Sequence, residues 1–360
     1  MEELPMKKLS YLLILCLLCT SLCACNKDKA NEESATETVI EETTESSEES
    51  KESVEETSES SEELLQGASE ESVEESVVEE SVEPEIVYEE VKPFILYITG
   101  IDVWGWVGKQ SRSDVNLLLT VNPQTHQILM VSTPRDFYVP LSISNGAKDK
   151  LTHAGLYGTQ CSQDTIGMLY NVNVDYNFRC NFSGFEAIID HLGGVDVWTD
   201  YDFTVEPIKH YVKGENHLTG LEALAFVRER HAFKAGDRVR GIHQMETAKS
   251  ILEHVFYSDW LNQYENLAND LAEFYETTMP FTTLQALAEN QIKDGAHWDI
   301  RTYSSDGKGT SGVTYSGGSK ALSVIEPNYD TVNEATRLMN GVLEGQLLSD
   351  LMGPEETTEE

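Results

Sequence analysis

Between about Pro93 and Met352 the chain alternates short apolar runs with longer amphipathic stretches. Phe94-Ile95-Leu96-Tyr97-Ile98-Thr99 is a nearly continuous apolar run and predicts a strand buried on both faces. Val115 to Val121 predicts a second strand and Gln127 to Ser132 a third, with Asn122-Pro123 as the turn between them. Ser183-Gly184-Phe185-Glu186 has the Ser-x-x-Glu spacing of a capping box and predicts a helix that stops at Gly193-Gly194. Thr219-Gly220-Leu221-Glu222 repeats the device ahead of Ala223 to Phe226, and Val195 to Thr199 returns to strand spacing. A long amphipathic helix is expected from about Arg240 to Trp260, a further helical stretch from Leu261 to Leu287, and a last surface helix from Thr331 to Leu343. Ser304-Ser305-Asp306-Gly307-Lys308-Gly309 and Ser316-Gly317-Gly318 lack the Gly-Lys-Ser/Thr order of a phosphate-binding loop and predict hairpin turns. Strands interleaved with helices imply a layered α/β sandwich of roughly 250 residues around one core, residues 93–352. The pattern does not fix the strand order.

The N-terminal pattern is different. Lys7 and Lys8 precede an apolar run from Leu9 to Leu18 that closes on Leu22-Cys23-Ala24-Cys25. This predicts a signal peptide over residues 1–25 with a lipobox, and a lipid on Cys25. The run is short for a bilayer core of ~30 Å, which favours lipidation over a signal anchor. Residues 26–92 carry no periodic apolar face and hold 25 acidic against 4 basic residues, −21 of the chain's net charge of −38. Such a segment cannot bury a core, and it predicts a disordered, self-repelling tether; a second acidic tail covers residues 353–360. The expected location is the extracellular face of the cell membrane, with the domain reaching into the cell wall.

Composition narrows the chemistry further. Residues 93–352 contain 32 acidic and 19 basic side chains, which argues against a nucleic-acid binder with a basic face. Cys161 and Cys180 accompany Cys25 after signal removal; outside the cell they form either a disulfide or two free buried thiols. Polar residues interrupt the apolar strands at their ends, where layered α/β sheets collect ligands. Asp102 follows the first strand, Arg112-Ser113-Asp114 opens the second, and Thr133-Pro134-Arg135-Asp136 follows the third. In extended chain, residues two apart share a face, so Arg112 and Asp114 are expected to enter one pocket. Arg228 and Arg230 do the same only if the preceding helix ends near Phe226, while Arg240 and Gln244 share a helical face. Arginines gathered from separate segments suit a pyrophosphate, and two aspartates beside them suit magnesium shared with phosphate oxygens. No Gly-x-Ser-x-Gly or Cys-His context supports a nucleophilic serine or cysteine enzyme.

At these residues the chain resembles the LytR-CpsA-Psr family of cell-wall enzymes. The likeness runs from about Phe94 to Leu252 through Gly100-Ile101-Asp102, Arg112-Ser113-Asp114, Pro134-Arg135-Asp136, Lys150 to Ala154, Leu192-Gly193-Gly194-Val195-Asp196, Leu221 to Arg230, Gly236-Asp237 and Arg240. The resemblance implies an α/β/α sandwich with a mixed central sheet and a deep apolar pocket for a polyprenyl chain. It implies a phosphotransferase that moves an anionic glycopolymer, such as teichoic acid or capsule, from a polyprenyl pyrophosphate carrier to peptidoglycan. On that likeness Asp102 and Asp114 hold Mg2+, and Asp114 deprotonates the acceptor. Arg112, Arg135, Arg228, Arg230 and Arg240 grip the phosphates, with Gln244 and Lys150 assisting. Two other readings of the same site are a polyprenyl pyrophosphate hydrolase and a non-catalytic module that binds the carrier. The chain departs from the family pattern at His243-Gln244-Met245, where Arg-Gln-Gln is usual, and at Thr152 in place of Asn. His243 thereby replaces a permanent cation with a titratable group.

Overall fold

The computed structural model describes residues 90–258 and 272–354. The expected signal peptide, Cys25, nearly all of the tether, residues 259–271 and the last six residues lie outside the described residues. Among the described residues the strands in chain order are β1 Phe94–Ile101, β2 Ser113–Asn122, β3 Gln127–Ser132, β4 Tyr138–Pro140, β5 Lys148–Lys150, β6 Tyr176–Asn181, β7 Val195–Thr199, β8 Phe203–Val205, β9 Lys209–Tyr211, β10 Gly214–Leu218, β11 Tyr275–Thr277, β12 Asp299–Ser304, β13 Gly307–Val313 and β14 Ala321–Pro327. A 3-10 segment spans Leu151–Tyr157. The described α-helices are α1 Thr159–Tyr170, α2 Phe182–His191, α3 Gly220–Arg228, α4 Gly236–Phe256, α5 Phe281–Asp294, α6 Tyr329–Leu343 and α7 Leu348–Met352.

Six strands form a mixed sheet in the order β11-β6-β1-β2-β3-β12. β1 pairs antiparallel with β2 and parallel with β6; β3 pairs antiparallel with β2 and parallel with β12. The carboxyl ends of β1, β3, β6 and β12 and the amino end of β2 therefore lie along one edge. Both faces of the sheet are covered, which is why β1 and β2 are buried throughout and largely apolar on both faces. Leu96, Ile98, Leu117, Leu119, Ile128 and Met130 face the core built with α2, α3, α4 and α5. The alternate residues Ile95, Tyr97, Leu118, Leu129 and Val131 face a second core shared with α1, α6 and α7. This period-2 division makes the domain a three-layer α/β/α sandwich with a mixed central sheet.

Several element boundaries differ from those expected. α2 starts at Phe182, two residues earlier than the anticipated capping box places it, because Asn181 caps it by accepting from Gly184 N at 2.9 Å; the Ser183 hydroxyl instead accepts from Gly105 N at 3.0 Å. α3 continues to Arg228 rather than ending near Phe226, and Glu229 leaves the helix in an extended conformation. The Leu261–Leu287 stretch is not one helix, since β11 and a turn precede α5. Gly307-Lys308-Gly309 belongs to β13, where pairing with β14 places Gly307 so close to Glu326 that no side chain fits; the Ser316 to Gly318 segment is the connecting turn. α6 is more than a surface helix, because it buries Val332, Ala335, Leu338, Met339 and Val342 under the sheet.

Cys161 and Cys180 form no disulfide. Cys180 lies on β6 in the core facing α2 to α5, whereas Cys161, on α1, packs with Leu141 and Ala154. The sheet separates them.

Candidate active site

A cavity of about 320 Å³ opens at the sheet edge where β3 and β12 end and β2 begins. It is lined by Asp114 and Asn116 on β2, Ser132 and Thr133 at the end of β3, and Ser304 to Gly307 from the end of β12 to the start of β13. The amino-terminal turns of α4 form the opposite wall and contribute Asp237, Arg238, Arg240 and Gln244. Helical side chains lean toward the helix N-terminus, so residues near that end reach the same opening even when two apart in sequence.

Asp114 owes its position to a β-bulge. The β1–β2 register pairs Gly100 with Val115 but Ile101 with Ser113, leaving Asp114 unopposed. A bulge of this kind re-aims a side chain, and here it directs a buried carboxylate to the cavity. Asp114 Oδ1 accepts from Arg135 Nη1 at 2.6 Å and from the Thr152 hydroxyl at 3.0 Å. Beneath it, the Tyr170 hydroxyl lies 2.8 Å from that of Thr133 and 2.7 Å from that of Ser305. This links the loops after β3 and β12. Burial pushes the Tyr170 pKa up to about 12, so the phenol stays neutral and available for both contacts.

Arg240 is only 4% exposed, and its Nη1 is buried with no hydrogen-bond partner among the described residues. Its Nη2 lies 3.3 Å from Asp237 Oδ1, which Arg230 Nη1 approaches at 3.6 Å. Burial lowers the Arg240 pKa. Asp237 opposes that shift, Arg135 adds to it, Asp114 opposes it and Arg230 adds to it, so these groups share one electrostatic neighbourhood. The guanidinium remains charged, and a buried charge with an unused donor is a poor end state unless an anion completes it.

The structure therefore brings Asp114, Arg135, Arg240 and Gln244 into the cavity wall, with Arg230 adjoining through Asp237. Lys150 adjoins through Asp136, its Nζ 3.0 Å from Oδ1. Arg112 is not in this wall. It precedes β2, is exposed, and makes no hydrogen bond or ion pair among the described residues; the bulge breaks the alternation expected to pair it with Asp114. Arg228 also lies apart, with its guanidinium 4.4 Å from the Phe182 ring, because the longer α3 directs it toward α2 and Arg230 toward α4. His243 is not a substitute cation. It sits in an aromatic cluster, stacked on Phe226 with ring centroids 4.1 Å apart, and its Nε2 is 2.9 Å from the Thr199 hydroxyl. Burial lowers its pKa to about 4, so it is neutral near pH 7.

No group of three metal-binding His, Cys, Asp or Glu side chains gathers among the described residues. Asp114 is the bulge residue and lines the cavity, whereas Asp102, exposed after β1, is not in the cavity wall. Carboxylates of this kind suit magnesium by donor type, an ion that completes its shell with water and phosphate oxygens.

Thr152, Tyr170, Arg238 and the Ser304 to Gly307 segment were not assigned to the site from sequence. Arg238, two residues before Arg240 at the start of a long helix, and Thr152, inside the Lys150 to Ala154 motif, carried usable signals.

The family model described as the LytR_cpsA_psr family matches residues 39–337. The chain belongs to this family. The polyisoprenyl-teichoic acid–peptidoglycan teichoic acid transferase TagU of Bacillus cereus is 32% identical over 185 residues, covering 51% of this chain and 60% of that relative. The TagU of Bacillus subtilis strain 168 is 30% identical over 211 residues, 58% of this chain and 68% of that protein. Among solved structures, B. subtilis TagV has 26% sequence identity and a TM-score of 0.60, covering 71% of this chain and 98% of its own. TagT bound to LIIa-WTA, 24% identical, shares the fold with a TM-score of 0.58, covering 72% of this chain and 95% of its own.

Proposed function

We propose that this protein transfers a phosphate-linked anionic glycopolymer, of the teichoic acid class, from a polyprenyl pyrophosphate carrier to peptidoglycan. The observation that carries this reading is the buried, incompletely bonded Arg240 beside the Arg135–Asp114 pair in a cavity at the strand ends. Membership in the family and the activity of the TagU relatives support it. In the reaction the acceptor hydroxyl oxygen bonds to the glycan-side phosphorus, and the bond from that phosphorus to the bridging oxygen breaks. Polyprenyl phosphate leaves with the electron pair. Arg135 and Arg240 bind and orient the phosphates and offset the negative charge that shifts to the leaving group. Asp114, held by Arg135 and Thr152, is the buried carboxylate presented for the hydroxyl proton. Asp102 and Asp114 would hold Mg2+, which when bound neutralises pyrophosphate charge. Arg228, Arg230 and Lys150 form an outer set of cations that meets the longer anionic substrate.

Export and lipidation at Cys25 are part of the proposal, supported by Lys7, Lys8, the apolar run and the lipobox. No described helix is long and apolar enough to cross a membrane.

The test incubates the full chain with magnesium, a labelled polyprenyl pyrophosphate glycan and a peptidoglycan oligomer. A covalent glycan–peptidoglycan adduct is expected; release of free glycan alone would reject transfer. Arg240→Ala should lower turnover by about ten- to a hundredfold, the range set by one or two lost charge-assisted hydrogen bonds. Unchanged turnover in both Arg135→Ala and Asp114→Ala would reject the site.

A further inference from the structure

The loop between β1 and β2 holds two large apolar side chains that the proposed chemistry does not use. Trp104 is 56% exposed and Trp106 74% exposed. The backbone beneath them is firmly held. Gly105 N donates to the Ser183 hydroxyl at 3.0 Å, Asn181 Nδ2 donates to Gly105 O, and Arg179 Nη2 donates to Lys109 O. Phe182 N donates to Val103 O at 3.2 Å, and Val107 is buried. Gly108 makes room for the Trp106 ring, since a Cβ there would lie 2.3 Å from it. Trp104 leans on Phe182, with ring centroids 5.2 Å apart. A clamped backbone with two indoles turned outward is a presented surface rather than a frayed loop.

Charge identifies what the surface fits. Within residues 102–112 Lys109 and Arg112 are exposed, and Asp102 is the one acidic residue. The loop is thus positive and aromatic in a domain where acidic residues outnumber basic ones by 32 to 19. Indoles favour the water–hydrocarbon boundary of a bilayer, and flanking cations are drawn to anionic headgroups. A neutral sugar surface would not call for the cations. We propose that the Trp104–Trp106 loop docks on the interface of an anionic lipid bilayer, with both indoles at headgroup depth and Lys109 and Arg112 on lipid phosphates. β2 begins at the end of this loop and carries Asp114 into the cavity, so docking brings the cavity's edge of the sheet to the membrane. The functional benefit rests on the transfer reading, because a polyprenyl-linked pyrophosphate lies at that depth; the docking does not.

The test uses the full chain in phosphatidylcholine–phosphatidylglycerol vesicles whose acyl chains are brominated, read by tryptophan fluorescence. The chain has five tryptophans. A blue shift with strong quenching is expected. It should vanish in Trp104→Ala/Trp106→Ala, whose thermal unfolding should match the parent because both side chains are exposed, and it should weaken in vesicles without phosphatidylglycerol. Equal quenching in the double variant, or none in the parent, would overturn the proposal. So would a blue shift produced by soluble peptidoglycan fragments in the absence of bilayer quenching. The double variant should also lose severalfold in transfer from a vesicle-embedded carrier while keeping transfer from a water-soluble short-chain carrier. A parent chain that shows loop quenching but transfers from neither carrier would reject the transferase reading and still support docking.

Discussion

Arg240 and His243 lie three positions apart on α4 and meet opposite fates. Arg240 keeps its charge at a cavity wall, whereas His243 turns into an aromatic cage of Phe203, Phe226, Phe233 and Tyr201. The His243 pKa of about 4 lies below the ordinary histidine value of 6.5, so the neutral ring is the folded form. Between these two values the unfolded chain binds a proton that the folded chain refuses. Stability contributed by this site is therefore complete above about pH 6.5 and is lost as pH falls toward 4, by on the order of 3 kcal/mol. His243→Phe should flatten the fall in thermal stability between pH 7 and 4.5 relative to the parent. An equally steep fall in the variant would show that other groups dominate acid unfolding. The histidine at this position is thus a packing residue, and the proposed anion site draws its charge from Arg135, Arg230 and Arg240 without it.

At the scale of elements, the site depends on how closely the 3-10 segment approaches β2. Gly155 makes that approach possible, because a Cβ there would lie 2.4 Å from Ser113 Oγ and 2.5 Å from Ser111 O and Ser113 N. These contacts are mostly backbone and cannot move aside cheaply. Gly155→Ala should push the 3-10 segment off β2, withdraw the Thr152 hydroxyl from Asp114, and lower turnover by about tenfold or more with a stability loss of about 1–3 kcal/mol. Parallel measurement of turnover and thermal unfolding checks this; wild-type values in both would show the approach to be looser than described. The first three strands, β7 and the bulk of α4 were legible from sequence, because apolar runs between turn residues leave few alternatives. The edges of α2 and α3 were not. Asn181 outcompeted Ser183 as the cap once the β1–β2 loop claimed the serine hydroxyl, a contact across 78 positions that no local pattern contains. The bulge at Asp114 was equally invisible, and it separates Arg112 from the carboxylate two residues later.

For the molecule as a whole, the second helical layer is assembled mainly from the C-terminal end of the chain. α6 and α7 cover Ile95, Tyr97, Leu118, Leu129 and Val131, the face of the sheet away from α2 to α5. Leu338→Ala, at a fully packed position, should cost about 2–5 kcal/mol, readable as a drop in denaturant midpoint with an unchanged slope. Termination after Pro327 should leave the sheet face open and yield insoluble chain. A soluble, cooperatively folding product would show that this layer is dispensable.

The sequence by itself determined the layered α/β class, the strands that form the centre of the sheet, the acidic N-terminal segment, and Asp114, Arg135, Arg240 and Gln244 of the cavity wall. These follow from local rules: apolar spacing, turn chemistry and charge composition act over a few residues and are visible in one dimension. Only the tertiary structure decided which cations share the cavity, that the two buried cysteines stand on opposite sides of the sheet, and that His243 is neutral. Each of these depends on which surfaces the packed layers bring within a few ångströms, and on how far burial shifts a charge once water is excluded.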